Sequence, residues 1–130
     1  MNFSFLRIPV YIHPSFWLLL LIFSDISKLL SITSLFYWII IFISLLVHEY
    51  GHGITALYFG ANPKIELNVL GGITSYTSRL TEKKNFLVSL NGPLLESLLI
   101  FFPYLFLKFQ IFDNHYLNYF LYLTMRINIF

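Results

Sequence analysis

The chemistry in this sequence concentrates in residues 45–59, LLVHEYGHGITALYF. His48 and His52 are four residues apart, so they share one face of a helix. That spacing lets two imidazoles bind one zinc ion. Glu49 projects about 100° round the helix from His48, beside such an ion and not beneath it. A carboxylate there can take a proton from metal-activated water and later deliver it to a leaving amine. Zinc brings the pKa of its water toward about 7, which makes the nucleophile available at neutral pH.

These three side chains sit in an apolar run. The 130 residues are 58% hydrophobic and 11% charged, and a soluble domain carries about twice that charged fraction. Long apolar runs in place of alternation predict an integral membrane protein of one domain, residues 1–130. Each ionisable group at the centre of a membrane helix costs on the order of 2.5–3.5 kcal/mol. Three in five residues therefore need partners or a polar cavity, and a shared zinc ion would partner both histidines. Gly51 and Gly53 add no bulk and permit close approach by a neighbouring helix or a substrate. The chain has no cysteine, so disulfides and thiolate metal sites are excluded. A net charge of +2 with no basic cluster gives no footing for nucleic-acid binding, and none is expected.

The elements that must position the motif follow from the apolar pattern. A first segment is expected at 14–30, with Pro14 in its first turn and Asp25 and Lys28 near its far end. A second, 35–59, carries the motif and is long enough to cross a bilayer of about 30 Å. Residues 64–79, KIELNVLGGITSYTSR, alternate and then turn at Gly71-Gly72, which predicts a short β-hairpin. A third segment, 86–109, contains Pro93 and Pro103 and is expected to bend or break. A fourth begins near residue 116 and barely crosses. The expected class is thus an all-α membrane protein, with three to four spans and one hairpin between the second and third. Arg7, Lys64, Arg79, Lys83 and Lys84 fall on one side, against Lys28 and Lys108 on the other. The positive-inside rule then places the N-terminus and the hairpin in the cytoplasm of a multi-pass cell-membrane protein.

HEYGH in the second helix, GGITSY in the hairpin and NGP (91–93) in the third helix resemble the site-2 protease family of intramembrane zinc metalloproteases. IHPSFWLLLL (12–21) resembles the first helix of its compact bacterial branch, that of the stage IV sporulation protease. The resemblance spans nearly the whole chain. It implies that His48 and His52 are zinc ligands and Glu49 the catalytic base, acting on membrane-embedded protein substrates. It also implies that Gly71, Gly72 and Ile73, with Asn91, help position the substrate as an extended strand. With no PDZ-like insertion and no nucleotide-binding tail in these residues, regulation is expected from other chains or from the part expected beyond the truncation.

Zinc hydrolases usually use three protein ligands plus water. In that family the third is an Asp within an N-x-x-P…D-G motif, which does not occur in these 130 residues. MRINIF (125–130) resembles the approach to it, so the expectation is a chain truncated before the third ligand. Asp25 and Asp113 are expected to be solvated loop or boundary residues. Glu96 stands where the family commonly has Asn. It is expected to replace the missing ligand, or to be protonated and hydrogen-bonded, or to pair with another polar group such as Asn91. His13 is expected at the membrane interface, and His115 in a solvated loop. The alternative function is an inactive relative or a membrane adaptor that binds clients without cutting them. A metal-handling protein ranks last, because it would need neither Glu49 nor the hairpin.

Overall fold

The computed structural model describes residues 1–23 and 31–129. The chain order is β1 (Asn2–Phe5), β2 (Ile8–Ile12), α1 (Phe16–Ile22), α2 (Ile32–Tyr58), β3 (Pro63–Asn68), β4 (Gly71–Tyr76), α3 (Glu82–Lys108) and α4 (His115–Ile129).

Four strands form one mixed sheet in the order β1-β2-β3-β4, so the all-α expectation is corrected. The hairpin stands as predicted, β3 and β4 pairing antiparallel from Pro63↔Tyr76 to Asn68↔Gly71. Asn68 Oδ1 accepts from the Leu70 amide at 2.8 Å, and Gly71 takes φ +118°, a backbone state that L residues seldom adopt. The addition is β2, which lies parallel to β3 over Val10↔Ile65, Tyr11↔Glu66 and Ile12↔Leu67. Ile8, Val10 and Ile12 alternate inward and are buried. Pro9 has no N–H to give to a ladder, and it falls just before the stretch paired with β3.

One face of this sheet makes the core. Ile8, Val10, Ile12, Ile65 and Leu67 pack with Phe16, Leu19 and Leu20 of α1 and Tyr50 of α2. Each such fully buried side chain contributes about 1.5–3 kcal/mol. The sheet is thereby fixed against the C-terminal half of α2, the half that carries the motif. Of the expected first membrane segment, the described residues show the seven-residue α1. Residues 24–30, with Asp25 and Lys28, lie outside the described residues. The Ser15 hydroxyl, free of capping duty, instead accepts from the Val69 amide at 3.3 Å and ties α1 to the hairpin turn.

Helices α2 and α3 are each 27 residues long and are apolar enough to cross a membrane. Only 22% and 17% of their most apolar stretches are buried within the chain. Core helices of a soluble protein would be mostly covered, so these faces are built for an apolar surrounding. Among the described residues these two helices, not three or four, meet that test. α2 is capped by Ser31, whose hydroxyl accepts from the Ser34 amide at 3.2 Å. α3 runs as one helix through Pro93 and Pro103, so of the expected bend or break there is no break. α4 covers 15 residues and reaches α2 through an edge-to-face contact of Phe120 with Phe36.

Candidate functional site

α2 and α3 meet closely because neither has a side chain at the crossing. A Cβ on Gly51 would lie 2.7 Å from Gly92 Cα and closer still to the Asn91 carbonyl oxygen. Those are backbone atoms, which give way only if the helices part. Gly51→Ala is therefore expected to destabilise the chain by about 1–3 kcal/mol, read as a lower unfolding midpoint in detergent. An unchanged midpoint would mean that the two helices leave room for a methyl group at Gly51. Beside the crossing, Asn91 Nδ2 donates to Thr55 Oγ1, and Thr55 Oγ1 donates to the Gly51 carbonyl at 2.8 Å. Asn91 is thus engaged as a tie between the two helices.

This crossing fixes both imidazoles. A helix carbonyl keeps a lone pair to spare, and that of Val88 accepts from His52 Nδ1 at 2.7 Å. His48 Nδ1 donates to Glu96 Oε2 at 2.7 Å. Glu96, expected either as a ligand or hydrogen-bonded to another polar group, stands against the outer nitrogen of His48. With both Nδ1 atoms donating, both Nε2 atoms carry lone pairs, and these face each other at 3.1 Å. Two lone pairs at that distance repel; a proton or a metal ion between them makes the contact attractive. Gly92 leaves the room for this, since a Cβ there would come within 3.0 Å of His52 Cδ2.

Glu49 is buried at 5% exposure. Its Oε2 accepts from Thr74 Oγ1 at 2.6 Å, so β4 holds the carboxyl in place. Gly72 makes this approach possible, because a Cβ there would stand 2.6 Å from Glu49 Oε1. His48, Glu49, Glu96, Gly71 and Gly72 line one open cleft of about 540 Å³, together with Ser44, Leu70 and Asn128. Ile73 lies exposed on β4, the strand at the sheet's outer edge.

The fold therefore brings together His48, His52, Glu49 and Glu96, with Gly71 and Gly72 at the rim. Among the described residues, no group of three His, Cys, Asp or Glu side chains is placed to hold a metal ion. His48 and His52 are the pair that could share one, through their Nε2 atoms. His13 is exposed and bonded to Ser15 at 3.1 Å, while His115 opens α4 and is exposed. Asp113 sits exposed in the loop before α4. Two partners have no mention in the sequence analysis, Thr74 and the Val88 carbonyl, nor do the cleft residues Ser44 and Asn128. The hydroxyls of GGITSY were a faint signal for Thr74; the others have none without the fold.

No protein-family profile matches the chain, and no curated protein matches it. Among solved structures it is similar to the site-2 protease from Methanocaldococcus jannaschii, with a TM-score of 0.73 and 23% identity. The match covers 98% of this chain, which spans 62% of that one. Over nearly its whole length, then, the chain has the fold of a site-2 protease, and the paired imidazoles and buried Glu49 lie where two apolar helices cross within that fold.

Proposed function

We propose that this chain is a site-2-type intramembrane zinc metalloprotease domain that hydrolyses peptide bonds of membrane-embedded client segments. The observation that carries the reading is the facing pair of Nε2 atoms, 3.1 Å apart, with Glu49 buried in the next position. Two Zn–N bonds of about 2.05 Å at a tetrahedral angle hold their nitrogens about 3.3 Å apart, so the pair suits one zinc ion. Nδ1–H donation to a carboxylate or carbonyl is also the usual outer support of metal-bound histidine. When bound, zinc would supply a Lewis acid and a water of lowered pKa.

The chain's own residues do the rest. Glu49 accepts a proton on the cleft side and returns it to the leaving nitrogen. Thr74 keeps that carboxyl from swinging away. Glu96 and Val88 fix the two rings in the tautomer that leaves Nε2 free. The outer edge of β4 offers backbone groups to a client drawn out as a strand. That matters because a helix hides its carbonyls from attack until it unwinds. In this reading residues 1–130 form one multi-pass membrane domain, with α4 beside the two spans and the N-terminus and hairpin at the cytoplasmic face. Clients are membrane proteins, and a partner chain regulates.

A zinc titration of the purified, ring-¹⁵N-labelled chain tests the site itself. The expected result is one ion per chain, with both Nε2 signals shifting and both Nδ1 sites staying protonated. Absence of binding, or binding that leaves the two rings unmoved, would overturn the assignment and favour the inactive adaptor.

A further inference from the structure

Away from the imidazoles, the β1–β2 turn holds two successive residues in a backbone state that neither favours. Phe5 pairs with Ile8, so Leu6 and Arg7 make the turn between them. Both take positive φ, +51° and +64°. That is the φ pattern of a type I′ turn, for which sequences normally supply Asn-Gly. A side chain is disfavoured at both positions, and backbone held in such a state clusters where something uses it.

Arg7 lines a second cleft, of about 300 Å³, with Leu57, Asn62, Lys64, Ser75 and Thr77. Strand register explains how these residues meet. Lys64 pairs with Ser75, and Pro9 lies level with them, one residue before the Val10↔Ile65 pair. Ile8, Val10 and Ile65 are buried, so by alternation this row faces away from the core. Strands lie about 4.8 Å apart, which makes the row about 10 Å wide. Arg7, Asn62 and Thr77 continue it by two residues toward the same end of the sheet. Among the described residues the Arg7 guanidinium and the Ser75 and Thr77 hydroxyls have no hydrogen-bond or ionic partner. Lys64 Nζ donates to Glu66 Oε1 at 2.8 Å, which uses one of its three N–H groups. The cleft thus presents donors and positive charge, with one carboxylate set against Lys64. It also lies where α2 ends, since Leu57 is in the last turn and Asn62 follows shortly after. At the end of an apolar span the hydrocarbon gives way to lipid headgroups. Phe5 and Leu6, beside Arg7, are 58% and 54% exposed. A free phosphate ion gives such side chains nothing to pack on, whereas a phospholipid brings a phosphate and acyl chains together.

We propose that this cleft binds the phosphate of an anionic membrane lipid, the Arg7 guanidinium donating to two phosphate oxygens, with Lys64 beside it and Phe5 and Leu6 against the acyl chains. The turn keeps Arg7 where glycine would fold more easily, because glycine has no guanidinium. The proposal needs α2 to lie in a membrane and is independent of what the histidine site does.

The test titrates the purified chain in uncharged detergent with dioctanoyl phosphatidylglycerol, dioctanoyl phosphatidylcholine or inorganic phosphate, and counts bound molecules by native mass spectrometry. The expected result is one phosphatidylglycerol per chain, held about tenfold more tightly than either of the others. Arg7→Gln is expected to weaken it about tenfold. Arg7→Lys keeps the charge but loses the fork, and is expected to weaken it about threefold or more. Arg79→Gln removes a cation that does not line the cleft and should leave affinity unchanged. Arg7→Gly separates binding from folding: its unfolding midpoint should rise, because glycine suits a positive φ, while lipid binding is lost. Equal weakening in Arg79→Gln and Arg7→Gln overturns the proposal in favour of diffuse attraction to a basic face. Inorganic phosphate binding as tightly as the anionic lipid overturns it in favour of an ion site. Phosphatidylcholine binding as tightly overturns it in favour of unselective packing on acyl chains. Absence of phosphatidylglycerol binding overturns it outright, and so does a lower midpoint in Arg7→Gly, since Arg7 would then serve the fold.

Discussion

Glu49→Gln is expected to lower the rate of client cleavage by about 10²- to 10⁴-fold while leaving the fold and the zinc stoichiometry intact. The substitution is close to isosteric. The Gln carbonyl oxygen can still accept from Thr74 Oγ1, the bond that holds the native carboxyl at 2.6 Å. The space made by Gly72 stays filled to the same extent. What is lost is the capacity to take up and return a proton. The rate should fall with little change in client affinity, because Glu49 acts in the transition state and not in ground-state binding. Single-turnover cleavage of a reporter segment in proteoliposomes reads this. Retention of more than a tenth of the rate would assign the proton transfer elsewhere, and among the described residues Glu96 is the other carboxylate lining the cleft.

Glu96→Ala is expected to weaken zinc binding about 10- to 100-fold without moving the helices apart. The Glu96 carboxylate accepts from His48 Nδ1 at 2.7 Å, which fixes the ring and makes Nε2 a better donor to a metal. Without it, His48 keeps its place on α2 but can rotate, and its two tautomers become comparable. Glu96→Gln should fall between, since an amide oxygen preserves the hydrogen bond but not the charge. Competition with a zinc chelator of known affinity gives the three values. A complete loss of zinc in Glu96→Gln would instead point to direct ligation by the carboxylate. Equal affinities in all three would deny it any part in the site.

The order of difficulty in reading this chain follows the range of its contacts. The motif was legible because ionisable groups in an apolar run demand an explanation within a single helix. The hairpin was legible because alternation and a Gly-Gly pair are local signals. The parallel pairing of β2 with β3 was not. Its partner residues, Val10 and Ile65, are joined through two helices, and Pro9 interrupts an otherwise visible Ile8–Val10–Ile12 alternation. The N-terminal residues also precede an apolar run, which favours reading them as its flank. The roles of Glu96 and Val88 depend on where α3 crosses α2. The sequence marks that crossing only by Gly51 and Gly92, and small residues are too common in membrane helices to locate one. Thr74 reaches Glu49 because β4 packs on α2, a tertiary fact with no local signature.

The central claim is that His48 and His52 hold a metal that turns this membrane crossing into a hydrolytic site. It is tested most directly by metal-dependent cleavage in the purified chain. A reporter with one membrane-embedded segment is incubated in proteoliposomes with the chain after chelation, and again after zinc is restored. The account predicts no cleavage of the chelated chain and recovery on addition of about one zinc per chain, with no recovery in Glu49→Gln. Cleavage that survives chelation, or a zinc-loaded chain that binds the reporter without cutting it, would contradict it.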